Sequence, residues 1–271
     1  MNNDNQPDWD RIAEKFDCWT PLLAPAGEAL LSALNSQCGD KIIDIASGTG
    51  EPALTLAKKM GGAVTITGTD AAAGMVKAAN SKAQSASVNN IEFRCMAAEQ
   101  LDFADATFDR ALCRFGVMLF DDAAQGLNEI ARVLKPGGRF SCAVWHTPET
   151  IPTLLWSYQV FKERLPEAQL PPLYRATSLG EPERLRQLLG NAGFDDIHID
   201  IHRLDYTFPS FAAYWATLDD SELIKQQLDA LPADTHETIR HEIEQLAEPC
   251  LDNGGQLVIP HQYLIASAQR R

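Results

Sequence analysis

The stretch Lys41-Ile42-Ile43-Asp44-Ile45-Ala46-Ser47-Gly48-Thr49-Gly50 decides how the rest of the chain is read. It is a short apolar run with an acid near its end, closed by two glycines, and a helical pattern from Pro52 to Lys59 follows. That order is strand, tight turn, helix, with proline tolerated in the first helical turn. Glycines at 48 and 50 let the backbone pass close to a ligand with no Cβ in the way, and they aim the amides of a helix start at it. Farther on, Asp70 ends a second β-branched run, Val64 to Thr69. From there a carboxylate can accept both hydroxyls of a ribose.

Outward from this stretch, strand and helix alternate. An Ala-rich helix is expected from about Ala72 to Ala83, and strands at Ile91–Cys95 and Phe108–Cys113. Apolar residues at helical spacing (Leu127, Ile130, Ala131, Val133, Leu134) stop at Lys135-Pro136-Gly137-Gly138, and a strand from Arg139 to Trp145 follows. Regular βαβ repetition with short turns builds an open, mostly parallel sheet covered by helices on both faces. The regularity then lapses. Residues 147–181 are rich in proline and aromatics, with a helical reading around Leu154 to Leu165. A helix through Leu185, Leu188, Leu189 and Ala192 closes on Gly193, and Asp196 to Phe208 alternates as a strand. Residues 210–248 read as two or three helices, one opening at Asp234 with Glu237 as a capping box, before a last strand from Gln256 to Ala268.

Composition narrows the function. With 37 Asp+Glu against 23 Lys+Arg in 271 residues, the net charge of -14 argues against nucleic acid or an anionic membrane surface as partner. The polar, acidic start lacks the order of a secretory signal, and no apolar run is long enough to span a membrane. Six scattered cysteines without neighbouring histidines at zinc spacing read as reduced thiols in a cytoplasmic protein with no metal site.

Two cofactor classes fit the glycine turn and Asp70. A dinucleotide would place a pyrophosphate at the turn, and Gly48-x-Gly50-x-x-Ala53 permits one. The carboxylate of Asp44 repels phosphates but attracts an ammonium. S-adenosyl-L-methionine carries an ammonium, a ribose and a sulfonium and no phosphate, so the acids favour it.

The chain resembles the class I S-adenosylmethionine-dependent methyltransferases of the UbiE/COQ5-like small-molecule group. The likeness rests on DIASGTG at 44–50, Asp70 with Met75, AAEQLDF at 97–103, FDRALCRFG at 108–116 and EIARVLKPGGRF at 129–140. It implies a Rossmann-like, mostly parallel seven-stranded α/β sheet with a helical cap. The expected organisation is an N-terminal helical lid (1–37), a cofactor-binding core (38–146), a cap insertion (147–181), core continued (182–208), a helical cap insertion (209–253) and a final core strand (254–271). The resemblance places Asp44, Ala46, Ser47, Gly48, Thr49 and Gly50 around the methionine part and Asp70 on the ribose. Ala71 and Met75 would line the adenine, Ala98 would offer it a backbone group with Glu99 beside it, and Arg114 and Phe115 would border the methionine and the transferred methyl. Ala97 stands where the family often has Asp.

A helix from Trp9 to Trp19 is expected as the lid. The five tryptophans, Trp9, Trp19, Trp145, Trp156 and Trp215, lie in the cap or at a strand end, which suits a dry aromatic pocket, with Phe16, Trp19 and Trp145 as candidate substrate residues. His146, just past the strand ending at Trp145, is the candidate catalytic base if the nucleophile starts protonated. Asp121 and Asp122 are expected to start a helix. Ser47 is not in a GxSxG elbow, and the turn Cys113-Arg114-Phe115-Gly116 is not the Asn/Asp-Pro-Pro-Tyr/Phe run of amine and amide methylation. The expected reaction is therefore methyl transfer to an oxygen or carbon, with nitrogen still open, of a small apolar or aromatic molecule. Three alternatives stay open: an NAD-dependent oxidoreductase, another alkyl transfer or cyclisation on the same fold, and a binding protein. The cap serves equally as a lid or as the interface of a homodimer.

Overall fold

The structure, a computed structural model, describes residues 8–271, so the first seven residues of the expected lid lie outside it. Its axis is β1 (Lys41–Ile45), whose Ile42, Ile43 and Ile45 are all fully buried. Consecutive buried residues on a strand mean that both faces of the sheet are covered there. β2 (Thr65–Asp70) and β4 (Phe108–Arg114) flank β1 in parallel, with Asp44 level with Gly68 on one side and Leu112 on the other. β3 (Ile91–Cys95) and β5 (Leu134–Trp145) extend the sheet in parallel at either side. β7 (Leu257–Arg270) then runs antiparallel between β5 and β6 (Phe194–Phe208), giving the order β3-β2-β1-β4-β5-β7-β6.

Eleven α-helices surround the sheet among the described residues. α1 (Trp9–Ile12) and α2 (Thr20–Leu34) precede β1; α3 (Ala53–Met60), α4 (Ala73–Ser85) and α5 (Ala123–Val133) are the crossovers; α6 (Pro152–Phe161), α7 (Leu173–Ala176) and α8 (Pro182–Asn191) follow β5. α9 (Phe211–Ser221), α10 (Lys225–Asp229) and α11 (His236–Ala247) fill the segment between β6 and β7. α2 lies across β4, β5, β6 and β7 and buries Leu30 and Leu34 completely. Asp122 caps α5 by accepting from the Gln125 amide (2.9 Å), as its position before a helical pattern predicts. Among the described residues no helix is long and apolar enough to cross a membrane.

Four details differ from the sequence reading. The helix expected over Trp9–Trp19 is broken into α1 and a 3-10 turn at Phe16–Trp19, because Asp10 and Asp17 are each drawn to groups elsewhere in the fold. β5 starts at Leu134, ahead of Arg139, since Leu134 pairs with Phe108 through a register shift that absorbs Pro136-Gly137-Gly138. β6 and β7 each run two residues beyond one expected end, their ends paired Phe194 to Arg270. The capping box at Asp234 is absent: Asp234 sits in a 3-10 turn and Thr235 precedes α11 without a side-chain cap.

Gly68 is a close-packing position. A Cβ there would lie 2.3 Å from Phe93 Cδ1 and 3.1 Å from Ser47 Oγ, whereas one at Gly62 would meet nothing within 4 Å. Gly68→Ala should therefore cost about 1–3 kcal/mol by overpacking, and Gly62→Ala should be neutral or slightly stabilising; urea unfolding of both variants checks this.

Candidate active site

The loop between β1 and α3 turns sharply because three of its residues take left-handed backbone angles: Ala46 (φ 54°), Gly48 (φ 53°) and Gly50 (φ 103°). Gly50 is tightly packed, since a Cβ would come within 2.7 Å of Leu54 Cδ1. Gly48 is the reverse: a Cβ there would meet nothing within 4 Å, so its backbone borders open space. Asp70 ties the two sides of this crevice together. Its Oδ2 accepts from the Gly48 amide (2.8 Å) and its Oδ1 from the Ala72 amide (2.9 Å). Burial raises the Asp70 pKa, although both amides favour its ionised form, and Asp10 adds to the rise.

Asp44 has no such support. It is fully buried, and neither carboxylate oxygen has a hydrogen-bond partner among the described residues. Burial holds its pKa well above the usual carboxylate range; the Arg114 guanidinium opposes this, while Asp70 and Glu51 reinforce it. A buried acceptor pair without donors is costly in a folded protein and marks a place where a ligand supplies the missing groups. An ammonium fits that need and a phosphate does not, because the crevice already gathers Asp44, Glu51 and Asp70. The residues present therefore fit a cationic amino-acid nucleoside.

The N-terminal segment lies over this crevice. Asp10 accepts from the Gly74 amide at the start of α4 (2.5 Å), where a Cβ on Gly74 would collide with the Asp10 backbone. Ile12 and Ala13 pack on Ala72 and Met75, the side of the crevice expected to take the adenine. Asp17 accepts from Thr49 Oγ1 (2.7 Å) and pairs with Lys82. Glu222, just after α9, holds the same segment from outside through Arg11 (3.0 Å) and Lys15.

After β4, aromatic rings gather around Phe115. Phe115, itself at φ 58°, stacks on Trp145 with centroids 4.1 Å apart, and Tyr263 meets Phe115 edge-on at 5.8 Å. Trp19 leans on Tyr206 (5.9 Å), and Tyr206 lies on the His261 ring (4.2 Å). His261 is fully buried; its Nδ1 donates to the Ile259 carbonyl (3.0 Å) and its Nε2 accepts from Thr153 Oγ1 (2.9 Å). Burial lowers its pKa to about 4, so the ring is neutral at pH 7.

The candidates taken from the sequence are thus placed as follows. Asp44 lies in β1 and Ala46 to Gly50 in the loop after it, Asp70 joins that loop through the Gly48 amide, Met75 packs with Ile12 and Ala13, Phe115 stacks on Trp145, and Trp19 leans on Tyr206. Phe16 packs between Trp9 (5.9 Å) and the main core. Ala71 is exposed, Ala98 is buried, and Glu99 gives one carboxylate oxygen to the Asp122 amide (3.2 Å), at the start of α5. His146 Nδ1 donates to the Gly180 carbonyl (2.7 Å). Two histidines meet the rings: His202 stacks on Tyr263 (5.3 Å), and His261, which sequence spacing passes over, is buried among them. A lone histidine in the apolar run Leu257 to Ala268 was the available signal, as was the inward alternation of Leu204, Tyr206 and Phe208.

The orphaned Asp44 makes a prediction about stability. A carboxyl with a raised folded pKa binds more protons folded than unfolded, so the ligand-free protein loses stability as pH climbs from about 4 toward the raised value. Asp44→Asn should raise ligand-free stability at pH 7, and the gain should vanish near pH 4. Urea midpoints of both proteins at the two pH values check this.

Comparison with known proteins agrees with this geometry. The family model described as the ubiE/COQ5 methyltransferase family matches residues 28–169. Over 145 residues the chain is 35% identical to a demethylmenaquinone methyltransferase of Corynebacterium kroppenstedtii, covering 52% of this chain and 59% of that one. Over 112 residues it is 38% identical to the ubiquinone/menaquinone biosynthesis C-methyltransferase UbiE of Geotalea daltonii, covering 41% and 48%. The chain thus spans about half the length of the curated relatives it matches. In three dimensions it resembles the YcgJ protein of Bacillus subtilis with a TM-score of 0.64 and 20% identity, covering 92% of this chain and 99% of that one. A match over more than half the chain, on the segment that carries β1 to β5, shows that the chain belongs to the ubiE/COQ5 methyltransferase family.

Proposed function

We propose that this protein is an S-adenosyl-L-methionine-dependent methyltransferase that methylates an oxygen or carbon of a small, flat aromatic or quinol-like molecule. The observation that carries the reading is Asp44: a buried carboxylate without partners, at the carboxyl end of β1, beside open space at Gly48. The family match supports it, and the quinone names of the relatives support the acceptor class.

When bound, the cofactor would supply a methyl group on a sulfonium, already an activated electrophile. Asp44 would hold the ammonium and Asp70 the ribose hydroxyls, with Met75 and Ala98 beside the adenine. Asp70 can accept further donors because each of its oxygens is engaged by only one amide. The N-terminal segment, pinned by Asp10 and Asp17, would close the crevice to water. Phe115, Trp145 and Trp19 would hold a flat acceptor against the methyl end. Placement of this kind supplies up to about 7–11 kcal/mol of rate acceleration. His261 takes no proton, since both ring nitrogens are engaged; it braces the Tyr206 ring.

S-adenosylhomocysteine at about 100 times its dissociation constant should stabilise the protein by about 2.7 kcal/mol, seen as a rise of several degrees in Tm, while NAD leaves Tm unchanged. Asp70→Ala should weaken S-adenosylhomocysteine at least about tenfold. A Tm shift with NAD alone would overturn the reading.

A further inference from the structure

Asp10 and Asp17 tie the N-terminal segment to the core, but its third tie comes from the insertion between β6 and β7. One carboxylate oxygen of Glu222 accepts from Arg11 Nε (3.1 Å) and lies 3.0 Å from a terminal guanidinium nitrogen of the same residue; the other oxygen pairs with Lys15. Arg11 and Lys15 flank Ile12 and Ala13, the two residues that pack on Ala72 and Met75. The Glu222 side chain is 13% exposed, against 49% and 47% for its partners, so it is screened less than an ordinary surface acid.

Glu222 makes these pairs from an unfavourable backbone. It ends α9 at φ 57° and ψ 13°, the left-handed conformation that glycine or asparagine usually supplies at a helix end. Such strain persists where surrounding contacts hold it, and the contacts at Glu222 are the two cations of the N-terminal segment. The helix behind it is fixed, since Tyr214 is fully buried against Phe208 (5.3 Å) and Phe211 (5.9 Å). Leu223, the next residue, packs on the Ile12 cluster. Across the segment, the amide of Gly74, second residue of α4, is one of the helix-start donors that no helical carbonyl satisfies, and Asp10 takes it (2.5 Å).

From this arrangement we infer that Glu222 is the latch of the N-terminal segment, a positioning residue that sets how often the segment lifts and so how fast the cofactor enters and leaves the crevice. The two ion pairs involve no group of the crevice, so they hold the segment equally whatever the crevice contains. Entry and release therefore change together while affinity stays put. The inference rests on the proposed methyltransferase reading only for the identity of what passes the latch.

The test follows hydrogen exchange of the Gly74 amide in the full chain without added ligand, and in parallel the binding of labelled S-adenosylhomocysteine and its chase by unlabelled ligand. Glu222→Gln should speed Gly74 exchange at least about threefold, the scale of two partly exposed ion pairs. It should speed entry and release of S-adenosylhomocysteine by a similar factor, with Kd within about twofold of wild type. Arg11→Gln with Lys15→Gln should do the same, and adding Glu222→Gln to that pair should change nothing further. Glu222→Gly keeps the left-handed turn without the carboxylate; it should speed exchange as Glu222→Gln does while Tm stays level or rises, a split that a merely structural role would not give. Unchanged Gly74 exchange in Glu222→Gln, or additive effects of the two sites, would overturn the latch. Faster release with entry unchanged would overturn it too. Failure of the wild type to bind S-adenosylhomocysteine would instead overturn the methyltransferase reading, and Gly74 exchange would still decide the latch.

Discussion

A carboxylate held out of water with nothing to pair with is the constraint around which this molecule is arranged. Asp44 is fully buried at the end of the central strand, level with Gly68 in β2, where the absence of a side chain leaves room for Phe93 and Ser47. Burying such a group costs free energy unless a ligand or neighbour compensates it. Asp70 shows the alternative arrangement. Two backbone amides donate to it, one from each side of the crevice.

The rest of the site follows from that constraint. A crevice gathering three acids selects against phosphates, and a segment that closes over it has to be tied down by polar contacts that leave Asp44 alone. Asp10 and Asp17 meet that need by reaching Gly74, Thr49 and Lys82. Glu222 adds a second tie from the helical insertion, so the cap and the N-terminal segment meet at one point. Lys82 and Asp17 are partly exposed and the Glu222 pairs reach solvent through Arg11 and Lys15, so each pair by itself contributes little stability.

Much of this was legible in the sequence where the cause was local. Ile42 to Gly50 could be read because a buried strand, a two-glycine turn and a helix start each leave a pattern within a few residues, and Asp70 because the next strand ends on it. Asp122 was legible for the same reason. The contacts joining distant residues left no local mark. Nothing near Asp17 points to Thr49, 32 residues on, nor anything near Asp10 to Gly74, 64 residues on. The break in the expected Trp9–Trp19 helix follows from those two contacts. The ring cluster was hidden likewise, since Phe115 follows β4 while Trp145, Tyr206 and His261 come from three other strands, and the antiparallel insertion of β7 between β5 and β6 brings them together. His146 was singled out for its place at a strand end, but hydrogen bonding turns it to Gly180.

The central claim is that Asp44, its acidity weakened by burial, is held for a cationic ligand. Calorimetric titration of S-adenosylhomocysteine in buffers of differing ionisation enthalpy at one pH measures the protons exchanged on binding. The account predicts net proton release from the wild type as Asp44 ionises against the ligand's ammonium, and none of that release from Asp44→Asn. A binding enthalpy independent of the buffer, or equal proton release from Asp44→Asn, would contradict it.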